Sequence, residues 1–266
     1  MHANRRFRGA SVLIALDIGN TNITVGVFEN KELKATWRLA TDARKTSDEY
    51  MLSLMTLLPM KGIRSEQIDS AVMCSVVPPL NTAFEGLVHG CFSVTPLSIG
   101  PGVRTGLRIL YEPPRDVGAD RVVDAVAAFH LYGGPVIIVD FGTATVFDAV
   151  SESGDYLGGA LAPGVHSAAE ALFVNTSQLR RVELTAPPNA IGKSTVHAMQ
   201  SGLLFGYAEL VGGMVRRFSE EIGGSPKVIA TGGLAGIIAK EVDVFDAVNP
   251  DLTLIGLRII HEMNQP

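Results

Sequence analysis

Cysteine is scarce in this 266-residue chain: only Cys74 and Cys91 occur, with no C-x-x-C pair. A disulfide framework and a structural zinc site are therefore improbable, and a reducing cytoplasm fits. Basic charge is equally thin. Arg5, Arg6 and Arg8 form the one basic block in a chain of net charge −5, which argues against nucleic acid as the main partner. No apolar run reaches the ~18 residues that read as a membrane span. The run Val12 to Leu16 stops at Asp17, short of the ~7–15 residues of a secretory signal. Residues 1–11 read instead as a disordered leader. The six histidines show no H-E-x-x-H spacing, and no G-x-S-x-G or Cys/His arrangement supports nucleophilic catalysis.

What is present is a globular composition, 47% hydrophobic and 18% charged, long enough for one large domain or two ordinary ones. Leu13 to Phe28, LIALDIGNTNITVGVF, organises it. An apolar strand runs into Asp17, and a tight turn passes through Ile18, Gly19, Asn20, Thr21 and Asn22. A second strand with alternating Ile23, Val25 and Val27 returns. One carboxylate, one glycine and several small polar side chains suit a phosphate beside a hydrated divalent cation. Alone, the turn is equally a polar hairpin.

The pattern recurs about half the chain later, as PVIIVDFGTATVFDAV from Pro135 to Val150. Asp140 takes the place of Asp17 and Gly142 that of Gly19, and Thr143 and Thr145 supply hydroxyls. Both copies open a three-strand meander followed by helices and strands. The repeat therefore predicts two similar α/β domains, at 12–118 and 119–266. Two phosphate turns facing one another across a cleft between them would clamp a nucleotide.

Between and after the repeats, periodicity predicts further elements. Glu32 to Leu39 is a strand, and Thr46 with Glu49 forms a capping box for a helix ended by Pro59 and Gly62. A strand Ala71 to Val77 is stopped by Pro78 and Pro79. A short helix Asn81 to Val88 and a strand Ser93 to Ile99 come next. Gly118-Ala119-Asp120-Arg121 opens a helix to about Tyr132, with Val122, Val123, Val126, Phe129 and Leu131 at its buried positions. Val165 to Phe173 is helical. Ser194 caps a long helix to about Ile222, interrupted by Gly202, Gly206, Gly212 and Gly213. Lys227 to Ala230 is a strand, and the last helix starts near Asp251.

Three further segments bear on chemistry. Gly232, Gly233 and Gly236 follow an apolar strand, where missing side chains let a flat ring or ribose lie against the backbone. Their spacing is not G-x-G-x-x-G, which rejects a dinucleotide fold. Gly192-Lys193-Ser194-Thr195 imitates the end of a P-loop, but the position that needs a glycine holds Pro187. Ser194 or Thr195 is thus a helix cap first and a ligand contact second. Asp120-Arg121 at a helix start is either capping and dipole compensation or a substrate motif. In the second case Arg121 pairs with a carboxylate, and Asp120 accepts a proton from an attacking hydroxyl.

DIGNT, GADR, DFGTAT and TGGLAG in this order resemble type III pantothenate kinases, within the acetate and sugar kinase, actin and heat-shock chaperone ATPase superfamily. The resemblance spans about Val12 to Glu262. It implies two actin-like (ribonuclease H-like) α/β domains with an interdomain nucleotide cleft. It also implies ATP-dependent phosphorylation of pantothenate, the first step of coenzyme A biosynthesis. By motif, Asp17, Ile18, Gly19, Asn20, Thr21, Asn22, Ile23 and Thr24 would hold ATP phosphates, with Asp17 toward Mg2+. Thr143, Gly232, Gly233 and Gly236 would also contact ATP. Asp140 would bind a monovalent cation, K+ or NH4+. Tyr111, Gly118, Ala119, Asp120, Arg121 and Thr195 would line the pantothenate site, with Asp120 as the catalytic base. A cytoplasmic homodimer is implied. An ATP-responsive scaffold is the competing reading, and it has no use for Asp120, Arg121 and Tyr111 together.

Overall fold

The apolar run before Asp17 forms β1 (Val12–Ile18) in the computed structural model, which describes residues 11–265. Residues 1–10 of the expected leader lie outside that range. Ser11, also assigned to the leader, accepts a hydrogen bond from the Asn30 amide and donates one to Asp69. β2 (Asn22–Glu29) and β3 (Glu32–Ala40) complete the first meander. α1 (Ser47–Met60) begins at the predicted capping box, with Thr46 accepting from the Glu49 amide and Glu49 bonding back to the Thr46 amide. Pro59 does not end this helix but lies within its last turn.

The next segment corrects the sequence reading in several places. β4 is shorter than expected (Ser70–Ser75), and α2 (Pro78–Phe92) starts at the prolines instead of after them. Proline at the first helical positions sacrifices only N–H groups that have no intrahelical acceptor, so Pro78 and Pro79 start the helix. Ser93 adopts a left-handed conformation and closes α2, so the expected strand from Ser93 shrinks to β5 (Leu97–Ser98).

β6 (Arg108–Ile109) precedes α3 (Ala119–Tyr132), and β7 (Val136–Phe141), β8 (Ala144–Val150) and β9 (Asp155–Pro163) form the second meander. Leu131 is 43% exposed, not buried: Val123 and Val126 supply the inward face of α3. α4 (Val165–Val174) follows, and α5 (Thr195–Ile222) runs unbroken through all four glycines. Packing against the second core outweighs their poor helix propensity. β10 (Lys227–Thr231), α6 (Ala235–Ile238), β11 (Ala247–Val248) and α7 (Leu252–Met263) complete the chain. Two-residue strands such as β6 and β11 are too short to show a period.

The chain divides into two units. One takes the chain as far as Thr105, with Gly118–Val123 and the segment from Thr253 onward; the other takes Gly106–Val117 and Asp124–Leu252. The division is therefore not a single cut near Gly118, because the first turn of α3 and nearly all of α7 go with the first unit. The first sheet has the order β3-β2-β1-β4-β5, and the second β11-β10-β7-β8-β9-β6. Read from β9, the second order is 9-8-7-10-11, the first order repeated, with β6 added at the edge. Pairing type repeats as well: β1 is antiparallel to β2 and parallel to β4, and β7 is antiparallel to β8 and parallel to β10. The duplication legible in the two Asp-x-Gly turns is thus a duplication of topology.

Strand alternation decides which side chains meet the core. Ile14, Leu16 and Ile18 are buried with Val25, Tyr50, Leu54, Phe84 and Leu87 in the first unit. Each such side chain contributes roughly 1.5–3 kcal/mol by leaving water. Leu13, Ala15 and Asp17 occupy the opposite face. There α7 packs on β2 closely enough that a Cβ on Gly26 would lie 2.9 Å from Leu254 Cδ1. In the second unit Ile137, Val139, Phe141 and Phe147 pack with Leu203, Leu204 and Val211 of α5. Thr145 lies opposite Phe141, is fully buried, and its Oγ1 has no hydrogen-bond partner among the described residues. Thr145→Val, which keeps the branched shape and removes the hydroxyl, is expected to stabilise the protein by about 1 kcal/mol. A melting temperature unchanged or lowered by this substitution contradicts that account.

Candidate active site

In the first unit the site residues come from β1, the β1–β2 turn and the first turn of α3. Gly19 donates its amide to the Asn22 carbonyl at 3.0 Å, closing the turn. Thr41, at the end of the meander, ties the turn down from outside. Its Oγ1 donates to the Gly19 carbonyl at 2.6 Å and its amide to the Thr21 carbonyl at 3.0 Å. Asn20, Thr21 and Asn22 are left at the surface. The turn is therefore rigid in its backbone and polar in what it presents, as a phosphate-binding loop requires.

Asp17 stands on the same face of β1 as Leu13 and Ala15. Its Cα partners are Thr24 on β2 and Cys74 on β4. The Cys74 thiol donates to Asp17 Oδ1 at 3.2 Å. Asp17 is only partly buried by surface area, but its carboxylate has lost most of its water, and that desolvation pushes its pKa up to about 6 from 3.8. The Cys74 hydrogen bond acts in the opposite sense, and the negative charge of Asp120 adds to the rise. Asp17 and Asp120, far apart in sequence, thus lie in one electrostatic environment within the first unit.

Asp120 is partly buried at the start of α3. Its Oδ1 accepts the Arg121 amide at 2.8 Å, one of the N–H groups that a helix start leaves unpaired. That leaves Oδ2 for other chemistry. The carboxylate folds back over Gly118, where a Cβ would lie 2.5 Å from Asp120 Oδ1. A side chain at Gly118 would therefore push the Asp120 carboxylate out of this position. Arg121 is buried, with 9% of its surface exposed. The two sequence readings of Asp120 are not exclusive, since one oxygen caps the helix and the other remains available.

In the second unit Asp140 is the counterpart of Asp17, with Val146 on β8 and Thr231 on β10 as Cα partners. The TGGLAG segment begins directly after Thr231. Gly232 has φ +88°, and a Cβ there would fall 2.3 Å from Asp140 Oδ1 and 2.6 Å from the Phe141 amide nitrogen. Only glycine fits that position, in conformation and in space. The glycine loop and the Asp140 turn, predicted as separate motifs, are thus one structure. The start of α4 supports the same turn: the Gly164 amide and Ser167 Oγ both donate to the Thr143 carbonyl, at 3.1 and 2.9 Å.

Tyr111 packs against Tyr156 with ring centroids 6.5 Å apart. Tyr156 is fully buried and donates its hydroxyl to Asp148 Oδ1 at 2.6 Å. Thr195 is exposed at the first position of α5, and Ser194 is the cap, its Oγ accepting from the His197 amide at 3.2 Å. Sequence reading missed Cys74, Thr41, Ser167 and the Tyr156–Asp148 pair. Cys74, Thr41 and Ser167 each act through a partner more than 20 residues away in sequence. The available signal was the alignment of β4 with β1, which puts Cys74 beside Asp17.

Residues 13–217 match the family model described as type III pantothenate kinase. A curated type III pantothenate kinase from Moorella thermoacetica is 51% identical over 253 residues, covering 95% of this chain and 100% of that protein. Among solved structures, a conserved putative Baf family transcriptional activator from Campylobacter jejuni gives a TM-score of 0.62 at 18% identity, over 94% of this chain and 98% of that one. An activator of the 2-hydroxyisocaproyl-CoA dehydratase from Clostridium difficile, with bound ADPNP, gives 0.58 at 14% identity, over 94% and 95%. At these identities the structural likeness speaks for fold alone, the two-domain α/β fold of actin-like ATPases and sugar kinases.

Proposed function

The chain belongs to the type III pantothenate kinase family, and we propose that the residues built into its two Asp-x-Gly turns and the start of α3 divide the labour of that reaction. The enzyme phosphorylates pantothenate with ATP in coenzyme A biosynthesis, giving 4′-phosphopantothenate. The observation that carries the assignment of roles is Asp120 at the start of α3, with Oδ1 on the Arg121 amide.

In this reading the amides and small side chains of Asp17 to Thr24 hold ATP phosphates, and the motifs assign Thr143, Gly232, Gly233 and Gly236 to ATP as well. Asp17 faces the magnesium ion that the family uses with ATP. A carboxylate beside a polar turn suits a hard cation of this kind, which neutralises charge on the triphosphate when bound. Arg121, with Gly118 and Ala119, takes the pantothenate role, the guanidinium pairing with its carboxylate, and the motifs assign Tyr111 and Thr195 to pantothenate as well. Asp120 Oδ2 orients the 4′-hydroxyl and takes its proton. The hydroxyl oxygen bonds to the γ-phosphorus as the bond from that phosphorus to the β,γ-bridging oxygen breaks, and ADP leaves. In phosphoryl transfer the nucleophile needs orientation more than early deprotonation, which a positioned carboxylate supplies.

Asp140 is assigned to a monovalent cation, K+ or NH4+. Its carboxylate lies close against Gly142 and Gly232. We also assign a cytoplasmic homodimer. Among the described residues no helix is long and apolar enough to cross a membrane.

Purified protein given ATP, Mg2+ and pantothenate is expected to release ADP in proportion to pantothenate, several-fold faster in K+ than in Na+. A coupled ADP assay measures both. No pantothenate-dependent release overturns the reading as a whole, whereas equal rates in the two salts overturn only the role of Asp140.

A further inference from the structure

Cys74 is the one described cysteine beside a site carboxylate, and nothing in the reaction itself calls for a thiol. It lies on β4, whose parallel register with β1 makes Cys74 and Asp17 direct partners on one face of the sheet. Thr24 flanks Asp17 from the other side. Cys74 is 1% exposed, so its thiol is sheltered from solvent. The 3.2 Å contact to Asp17 Oδ1 fixes one carboxylate oxygen against the sheet. The second oxygen is then held in a defined direction. A carboxylate between two strands has freedom at χ1 and χ2, and a buried donor at one oxygen removes much of it. Hydrogen bonds to charged groups are stronger than neutral ones, although a thiol is a weak donor.

We propose that Cys74 is a positioning residue for the nucleotide's metal ion: its thiol holds Asp17 in the orientation that receives the hydrated cation. The inference rests on the assignment of Asp17 to the magnesium side. It requires no change in the oxidation or protonation state of the thiol. Pantothenate binding and the proton transfer at Asp120 are separate from it.

The test is calorimetric binding of ADP, with Mg2+ and with EDTA, to the full chain and to Cys74→Ala, Cys74→Ser, Asp17→Asn and the Cys74→Ala/Asp17→Asn double variant. Cys74→Ala is expected to weaken Mg-ADP binding about fivefold to tenfold and to leave binding in EDTA within about twofold. Cys74→Ser, which keeps a donor, is expected to restore Mg-ADP affinity to within about twofold of the parent. In the double variant, loss of the thiol is expected to add nothing to the effect of Asp17→Asn, because the two residues act as a unit. Three results overturn the proposal. Cys74→Ala leaves Mg-ADP binding intact while Asp17→Asn impairs it. Or both Cys74 variants weaken binding equally with and without Mg2+, which is a packing effect. Or Asp17→Asn itself leaves Mg-ADP binding unchanged, in which case the assignment of Asp17 falls first.

Discussion

Replacing Asp120 with Asn is expected to lower kcat by about 10²- to 10⁴-fold, the usual range for loss of a positioned acid–base group. Asn keeps an oxygen that accepts the Arg121 amide, so the start of α3 is preserved. It loses the ability to take a proton. Mg-ATP affinity is expected to stay within about threefold, because Asp120 is assigned to the acceptor. The substitution also removes the negative charge that helps to raise the Asp17 pKa, so thermal stability is expected to hold or rise slightly. Steady-state kinetics, nucleotide titration and a melting curve measure these together. A variant with near-normal kcat shows that Asp120 does no more than cap the helix. A variant that has lost both turnover and nucleotide binding shows that it serves the ATP site instead.

Asp17→Asn is expected to move stability and activity in opposite directions. In the folded chain, burial raises the Asp17 pKa to about 6, and in the unfolded chain it is near 3.8. Between these values the folded state holds a proton that the unfolded state has released, so stability falls as pH rises through this window. The cost of the charge is fully present above pH ~6 and absent below pH ~4. Removing it therefore stabilises the nucleotide-free protein at pH 7 to 8 by at most about 3 kcal/mol, at about 1.4 kcal/mol per pKa unit. At pH 4 the gain vanishes. At pH 7 to 8, where the parent carboxylate is charged, turnover should fall at least about 100-fold, since the amide cannot offset the charge of a divalent cation. Melting curves at pH 4 and pH 7.5, set beside kcat/KM for Mg-ATP, decide the matter. If the variant is less stable than the parent at pH 7.5, the charge at Asp17 is not a cost to the fold. If it turns over normally, Asp17 does not face the metal.

Much of this arrangement was legible in the chain because the site residues sit at element ends, where polar residues interrupt apolar runs. Asp17 and Asp140 each break a strand at its last residues, and Asp120 follows a glycine at a helix start. The repeat made one ambiguous turn into two matching ones, and the common strand order bears that out. Starting α2 only at Asn81 failed because proline is well suited to the first positions of a helix. Treating the glycines of α5 as interruptions failed because the buried face carries that helix. Cys74 was invisible for a different reason. Nothing in the local run AVMCSVV distinguishes a packing thiol from one that faces a carboxylate, and only the pairing of β4 with β1 tells them apart.

The prolines that open α2 also bear on where anions are welcome. A helix start ordinarily offers a cluster of outward N–H groups, with a partial positive charge behind them. At α2 the first two of those donors do not exist, and the third, from Leu80, is spent on the Val77 carbonyl at 2.9 Å. The end of the first sheet thus has a muted helix beside it. In this unit the proposed roles leave the recognition of negative oxygens to the loop after β1, a hairpin in the place that a helix terminus takes in many other nucleotide sites.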